Sequence, residues 1–124
     1  MERHKIKQLV WIGSSLHDLK QFPEDVKDAF GYALYLAQAG GKYPEAKPLK
    51  GFSGGGVLEI VEDHDTNTYR AVYTVRMAET VYVLHAFQKK SKSGIATPKK
   101  ELDLIKARLQ RAIEHHAGKE EKIK

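Results

Sequence analysis

From Thr80 to Lys100 the chain carries no acidic residue, yet it holds His85, Lys89, Lys90, Lys92, Lys99 and Lys100. Phe87 stands just ahead of Lys89-Lys90, and Gly94 follows soon after. Lysines at a strand end beside an aromatic ring suit a site that grips phosphates and stacks a base. The same lysines also suit a solvated strand edge that discourages sheet-to-sheet pairing. Arg70 lies between Tyr69 and Tyr73, and strand alternation sets it on one face with Val72, Thr74 and Arg76. Six strand residues separate Arg70 from Arg76 by about 20 Å, too far for both to serve one compact centre. Such an arginine either binds an anion or closes an ion pair. Alternation sets His85 with Val83 and Phe87, where an imidazole either packs and hydrogen-bonds or moves protons near neutral pH. Neither Arg70 nor the lysines fall on an expected core position.

Other candidates are weaker. Asp63-His64-Asp65 reads as hairpin-turn chemistry, and His64 and His115-His116 lack the spacing of a metal site, so no metal and no cofactor are expected. Gly51-Phe52-Ser53-Gly54-Gly55-Gly56 runs into a strand rather than a helix, which argues against a nucleotide-phosphate loop.

These residues must be positioned by a fold that 124 residues can build as one domain. Lys5 to Ile12 reads as a strand, stopped by Gly13-Ser14-Ser15, where a serine can cap a short helix through Leu16, Leu19 and Phe22. Pro23 opens a second helix with Val26, Ala29, Phe30, Ala33, Leu34 and Ala37 on one stripe, ended by Gly40-Gly41. Residues 42–56 read as a loop. Three apolar runs follow, Val57–Val61, Tyr69–Met77 and Thr80–Phe87, with connections short enough for an antiparallel meander. Thr97-Pro98 starts a final helix carrying Leu102, Ile105, Leu109, Ala112 and Ile113. The order is β-α-α-β-β-β-α, an α+β domain over residues 1–118, with 119–124 a charged, frayed tail.

The formal charge of +5 and pI near 9.3 favour an anionic partner. The absence of cysteine excludes disulfides and thiolate metal sites and fits a reducing cytoplasm. No secretion signal is legible at Met1–Lys5, and no stretch has the length of a membrane span, so a cytoplasmic protein without a membrane partner is expected.

An ordered series of short motifs adds to this. Asp18-Leu19-Lys20-Gln21-Phe22-Pro23, Leu49-Lys50-Gly51, Val57-Leu58-Glu59-Ile60, Tyr69-Arg70-Ala71-Val72-Tyr73, Val83 to Lys90 and Thr97-Pro98 resemble the RelE/ParE toxin superfamily, nearest its phage-derived, HigB-like branch. The resemblance covers about Ile6 to Arg111. It implies a twisted, mainly antiparallel sheet with two N-terminal helices on one face. It further implies the toxin of a type II toxin–antitoxin pair, a metal-independent and ribosome-dependent mRNA endoribonuclease that uses the RNA's own 2′-hydroxyl. Its partners would be mRNA, the ribosome and a helix-turn-helix, HigA-like antitoxin, with operator DNA reached only through the antitoxin. Two alternatives stand beside this reading: a ParE-like toxin acting on a protein target such as DNA gyrase, and an inactive module that only binds antitoxin.

By the resemblance, Arg70 matches the arginine that contacts the reacting phosphate, and Lys89 and Lys90 match the basic end of the last sheet strand. Lys50 falls at a frequently basic position. Arg76, Phe87, Lys92 and Lys99 complete the expected RNA-binding surface. Where some ribosome-dependent relatives carry lysines on the first meander strand, this chain has Glu59 and Val61. No tyrosine follows Lys89-Lys90 in the place that certain relatives use. The proton-handling role therefore stays open between Glu59 and His85.

Overall fold

The computed structural model describes residues 6–52, 56–89 and 97–123, with side chains to Gly118. Its elements are β1 (Gln8–Trp11), α1 (Ser15–Lys20), α2 (Glu24–Gln38), β2 (Lys47–Pro48), β3 (Val57–His64), β4 (Asn67–Thr74), β5 (Thr80–Lys89) and α3 (Lys99–Ile123). The α+β expectation holds, in a five-stranded sheet ordered β1-β5-β4-β3-β2. β3, β4 and β5 form the expected antiparallel meander, and β1 adds to β5 in parallel. The Lys42–Gly56 stretch, expected to be loop throughout, contributes β2, which pairs Lys47 with Glu59 and Pro48 with Leu58. A proline is tolerated there because β2 is an edge strand, where the N–H that proline lacks is not needed for a ladder bond to an outer strand. The β3–β4 turn is tighter than expected, with His64 opposite Asn67 and Asp65 in the left-handed region at φ 57°. Aspartate is among the few residues that accept that conformation.

Two layers of side chains bury the two sheet faces. On one, Leu19 and Phe22 of α1 and its exit join Val26, Phe30 and Leu34 of α2 against Ile60, Tyr69, Tyr73, Val81 and Val83. On the other, Ile105, Leu109 and Ala112 of α3 cover Val57, Val72, Tyr82, Leu84 and Phe87. Both stripes are the ones that three- and four-residue spacing marks in the sequence. A fully buried Ile105 or Phe30 side chain contributes on the order of 1.5–3 kcal/mol by leaving water. β5 is buried from Thr80 to Phe87 because it lies inside the sheet and both its faces are covered. The helical backbone of α3 continues beyond Gly118 to Ile123.

Strand alternation fails at one place, with consequences for the site. The β4–β5 register runs Val72 opposite His85 and then Tyr73 opposite Val83, leaving Leu84 as an extra residue. This β-bulge puts Leu84 and His85, adjacent in sequence, both on the α3 side. Val83 belongs to the α1–α2 side instead, so the shared face expected for Val83, His85 and Phe87 is corrected.

Candidate functional site

Register places Glu59, Val72 and His85 in one row across β3, β4 and β5. Val61, Arg70 and Phe87 form the next same-face row, and Asp63, Thr68 and Lys89 the one after. The sheet thus brings Glu59, Arg70, His85 and Phe87 together beneath the start of α3, although up to 28 positions separate them in the sequence. That count is the difference between residue numbers 87 and 59.

Arg70 is buried, 2% exposed, which corrects the expectation that it lies outside the core. Its guanidinium donates from Nη1 to Glu59 Oε2 at 3.3 Å and to Thr97 Oγ1 at 3.3 Å. Thr97 in turn donates to the same Glu59 oxygen at 3.3 Å. The three side chains make a closed triangle that joins β3, β4 and the entry to α3. Pro98 sets that entry, its carbonyl accepting from Glu101 N and Leu102 N at 3.0 Å each.

One side of the triangle opens on a cavity of about 340 Å³. Lys47, Pro48, Leu49 and Lys50 line one wall, and Glu59, Thr97 and Leu102 the other. Its size is at the small end of ligand pockets. The pairing of β2 with β3 builds it, since Lys47 lies directly opposite Glu59. Lys47 and Lys50 are exposed lining residues, so the cavity's open edge is basic while Leu49, Leu102 and Glu59 line its inside.

His85 shares a row with Glu59, two strands away across Val72, and has another role in the architecture. Its ring is 5% exposed and stacks on Phe87 with centroids 4.8 Å apart. His85 Nε2 meets Glu101 Oε1 at 2.6 Å, and Arg108 Nη1 reaches His85 Nδ1 at 3.3 Å. A guanidinium can only donate, so Nδ1 accepts and Nε2 carries the proton given to Glu101. Burial pushes the imidazole below its ordinary pKa, although the Glu101 carboxylate pulls the other way. Arg108 also donates to the Leu84 carbonyl at 3.0 Å, satisfying an oxygen at the bulge, and to Ser14 Oγ at 3.1 Å. Ser14 Oγ then donates to Asp18 Oδ2 at 2.7 Å. Gly13 holds the left-handed φ of 60°, which favours glycine, at the turn that the Arg108 guanidinium crosses.

The remaining expected residues disperse. Lys89 is half-buried at the end of β5, opposite Thr68. Phe87 is 8% exposed with one face taken by His85. Lys99 is exposed and pairs with Asp103 at 3.0 Å. Arg76 lies past the end of β4, its side chain packed across Gly56. Lys90 and Lys92 fall outside the described residues. No cluster of three or more metal-ligating side chains occurs among the described residues. No described helix is long and apolar enough to cross a membrane.

Sequence reasoning missed Thr97 as a hydrogen-bond donor, Lys47 on the cavity wall, and Glu101 and Arg108 around His85. Arg108 and Glu101 flank the apolar stripe of the last helix, a position that marks solvated residues as often as polar anchors. The bulge, by turning His85 toward α3, gives them a shared partner.

Residues 17–110, well over half of the chain, match the family model described as Phage derived protein Gp49-like. The chain belongs to that family. The match bears out the resemblance to the phage-derived branch of the RelE/ParE superfamily. No curated protein matches this Gp49-like chain. Among solved structures, a chain of the toxin–antitoxin complex RelBE2 from Mycobacterium tuberculosis is similar at a TM-score of 0.45 and 16% identity, covering 73% of this chain and 100% of that one. The family match spans Glu59, Arg70, Thr97, His85, Glu101 and Arg108, so the whole triangle and the histidine network lie within the Gp49-like region, Ser14 excepted.

Proposed function

We propose that this Gp49-like protein is the toxin of a type II toxin–antitoxin pair and a metal-independent mRNA endoribonuclease. In this reading it works in the cytoplasm on ribosome-held mRNA and is silenced by a helix-turn-helix antitoxin. The observation that carries the reading is the Glu59 carboxylate, held by buried Arg70 on the wall of an open cavity with Lys47 and Lys50 at its mouth.

Cleavage needs a base, a cation and an acid, and no metal. Glu59 takes the proton of the 2′-hydroxyl, the 2′-oxygen attacks the adjacent phosphorus, and the bond from phosphorus to the 5′-oxygen breaks. The products are a 2′,3′-cyclic phosphate and a 5′-hydroxyl, the latter receiving a proton from Lys50 or water. Lys47 and Lys50, which line the cavity beside Glu59, offset charge on the phosphorane-like transition state. Arg70 fixes the carboxylate and adds positive field behind it. His85 has both ring nitrogens engaged, so Glu59 takes the proton-accepting role. The ribosome supplies orientation, which alone is worth several kcal/mol of barrier.

The test is induced expression with mapping of new mRNA 5′ ends, comparing the wild-type protein with Glu59→Gln. Glutamine keeps an acceptor for Arg70 and Thr97 while losing the basic carboxylate. Wild type should produce 5′-hydroxyl ends, and the folded variant should cleave roughly a hundredfold or more slowly. Unchanged cleavage by folded Glu59→Gln removes Glu59 from the mechanism. Growth arrest without new 5′ ends replaces the nuclease reading with a protein-target toxin. Neither arrest nor antitoxin binding leaves no toxin.

A further inference from the structure

The side of the molecule opposite the cavity has a different chemistry. α2 carries Asp28, Tyr32 and Tyr35 along one outward ridge, the spacing that makes helical neighbours. Tyr32 is 57% and Tyr35 53% exposed, the two most exposed large hydrophobic side chains among the described residues. Tyr32 packs edge-on against Tyr43, with centroids 6.2 Å apart and planes at 82°. Tyr43 donates its hydroxyl to Glu62 Oε2 at 3.5 Å.

Around these rings the charge is negative, in a chain whose formal net charge is +5. Glu45, Asp63 and Asp25 act on Glu62 and, after burial, raise its carboxyl above the ordinary value. Glu62 and Glu45 likewise raise the Tyr43 phenol, again after burial. Neighbouring basic side chains are already engaged: Lys27 with Glu24 at 2.8 Å, and the His64 ring with Asp25 at 3.0 Å and Asp65 at 3.4 Å. Lys42 flanks Tyr43 in the sequence and leaves the balance acidic.

Gly31 supplies an independent sign. It lies within α2, exposed, and a Cβ there would meet nothing within 4 Å. Glycine inside a helix weakens it relative to alanine, and no internal packing here requires it. Beside Tyr32 it leaves a bare stretch of backbone that another chain can approach closely.

We propose that the Asp28–Gly31–Tyr32–Tyr35 ridge, with Tyr43, Glu62 and Glu45, docks an arginine-rich helical segment of a partner protein. Guanidinium groups stack on tyrosine faces and pair with carboxylates in two places, which ammonium groups do not reproduce. The basic remainder of the chain repels the same segment, so association is confined to this surface. The inference concerns a face that the proposed cleavage does not use and stands or falls separately.

The test titrates the full-length protein with a labelled, arginine-rich amphipathic helical peptide, alongside copies with lysine or glutamate in place of arginine. Binding is followed by fluorescence anisotropy and mapped by amide chemical shifts. Expected are saturable binding of the arginine peptide, weaker binding of the lysine copy, none of the glutamate copy, and shifts centred on Gly31 to Tyr35 and Tyr43. Tyr32→Ala/Tyr35→Ala should weaken binding roughly tenfold or more. Gly31→Gln should raise the Tm while also weakening binding, a combination that damage to the fold cannot produce. The Asp103→Asn/Glu114→Gln protein, altered on α3, should bind as wild type. The proposal is overturned by any of three results: absence of saturable binding, shifts centred on α3 or the cavity, or full binding retained by the ridge variants.

Discussion

Replacing Arg70 by alanine tests whether the triangle is a buried structural pair as well as part of a site. The Arg70 side chain is 3% exposed and that of Glu59 is 16%, at an N···O distance of 3.3 Å. At that separation and an effective dielectric near 20, the attraction is about 5 kcal/mol before desolvation is subtracted. Removing one partner of a buried pair strands the other charge and typically costs about 3–5 kcal/mol. Among the described residues, Thr97 then remains to the Glu59 oxygen, so Arg70→Ala should lose roughly 3 kcal/mol or more in urea melts at pH 7. Arg70→Ala/Glu59→Gln removes the stranded charge and should be about 1–2 kcal/mol more stable than the two single losses summed. A single loss under about 1 kcal/mol, with coupling near zero, refutes the reasoning by showing a solvated pair. The size of the effect has a practical consequence. Arg70→Ala can silence the protein by unfolding it, because a domain has only about 5–15 kcal/mol in total. Glu59→Gln keeps a hydrogen-bond acceptor for Arg70 and Thr97 but leaves the Arg70 charge without its carboxylate, so its cleavage is compared only once its urea melt shows a folded protein.

Two further outcomes follow from buried polar groups. Tyr73 is fully buried, its hydroxyl has no hydrogen-bond partner among the described residues, and burial pushes its phenol up to about 12. Tyr73→Phe should therefore be neutral or stabilising by up to about 1 kcal/mol in urea melts, and a loss beyond about 1 kcal/mol would reveal a partner for the hydroxyl. The His85 pKa is lowered by burial, so the unfolded chain binds this proton more readily than the folded one. Its contribution to stability should be complete above the unfolded value of about 6.5 and decline as pH falls below it toward the folded pKa. Protonated Nδ1 would face Arg108 as a second donor. Urea melts from pH 7.5 down to about 5 should show that decline in wild type and a shallower one in His85→Gln. Equal slopes would assign the pH dependence to other groups.

The sequence by itself determined the element order, the helix stripes and the meander, because each rests on local rules. Val26, Phe30, Leu34 and Ala37 must share a helix face at their spacing, and so must Ile105, Leu109 and Ala112. It also marked Glu59, Arg70 and His85 as the residues to watch. It did not show β2, since two exposed residues carry no periodicity and Lys47–Pro48 becomes a strand only by meeting the edge of β3. Nor did it show the bulge. β5 is apolar on both faces, so nothing in its composition shows where one residue slips out of register and turns His85 toward α3. Period two says that a strand has two faces and leaves open which side chains on other strands stand opposite. In the sequence Arg70 therefore stood open between binding an anion and closing an ion pair, and it became the buried partner of Glu59 once β3 had paired with β4 and Thr97 had closed over both.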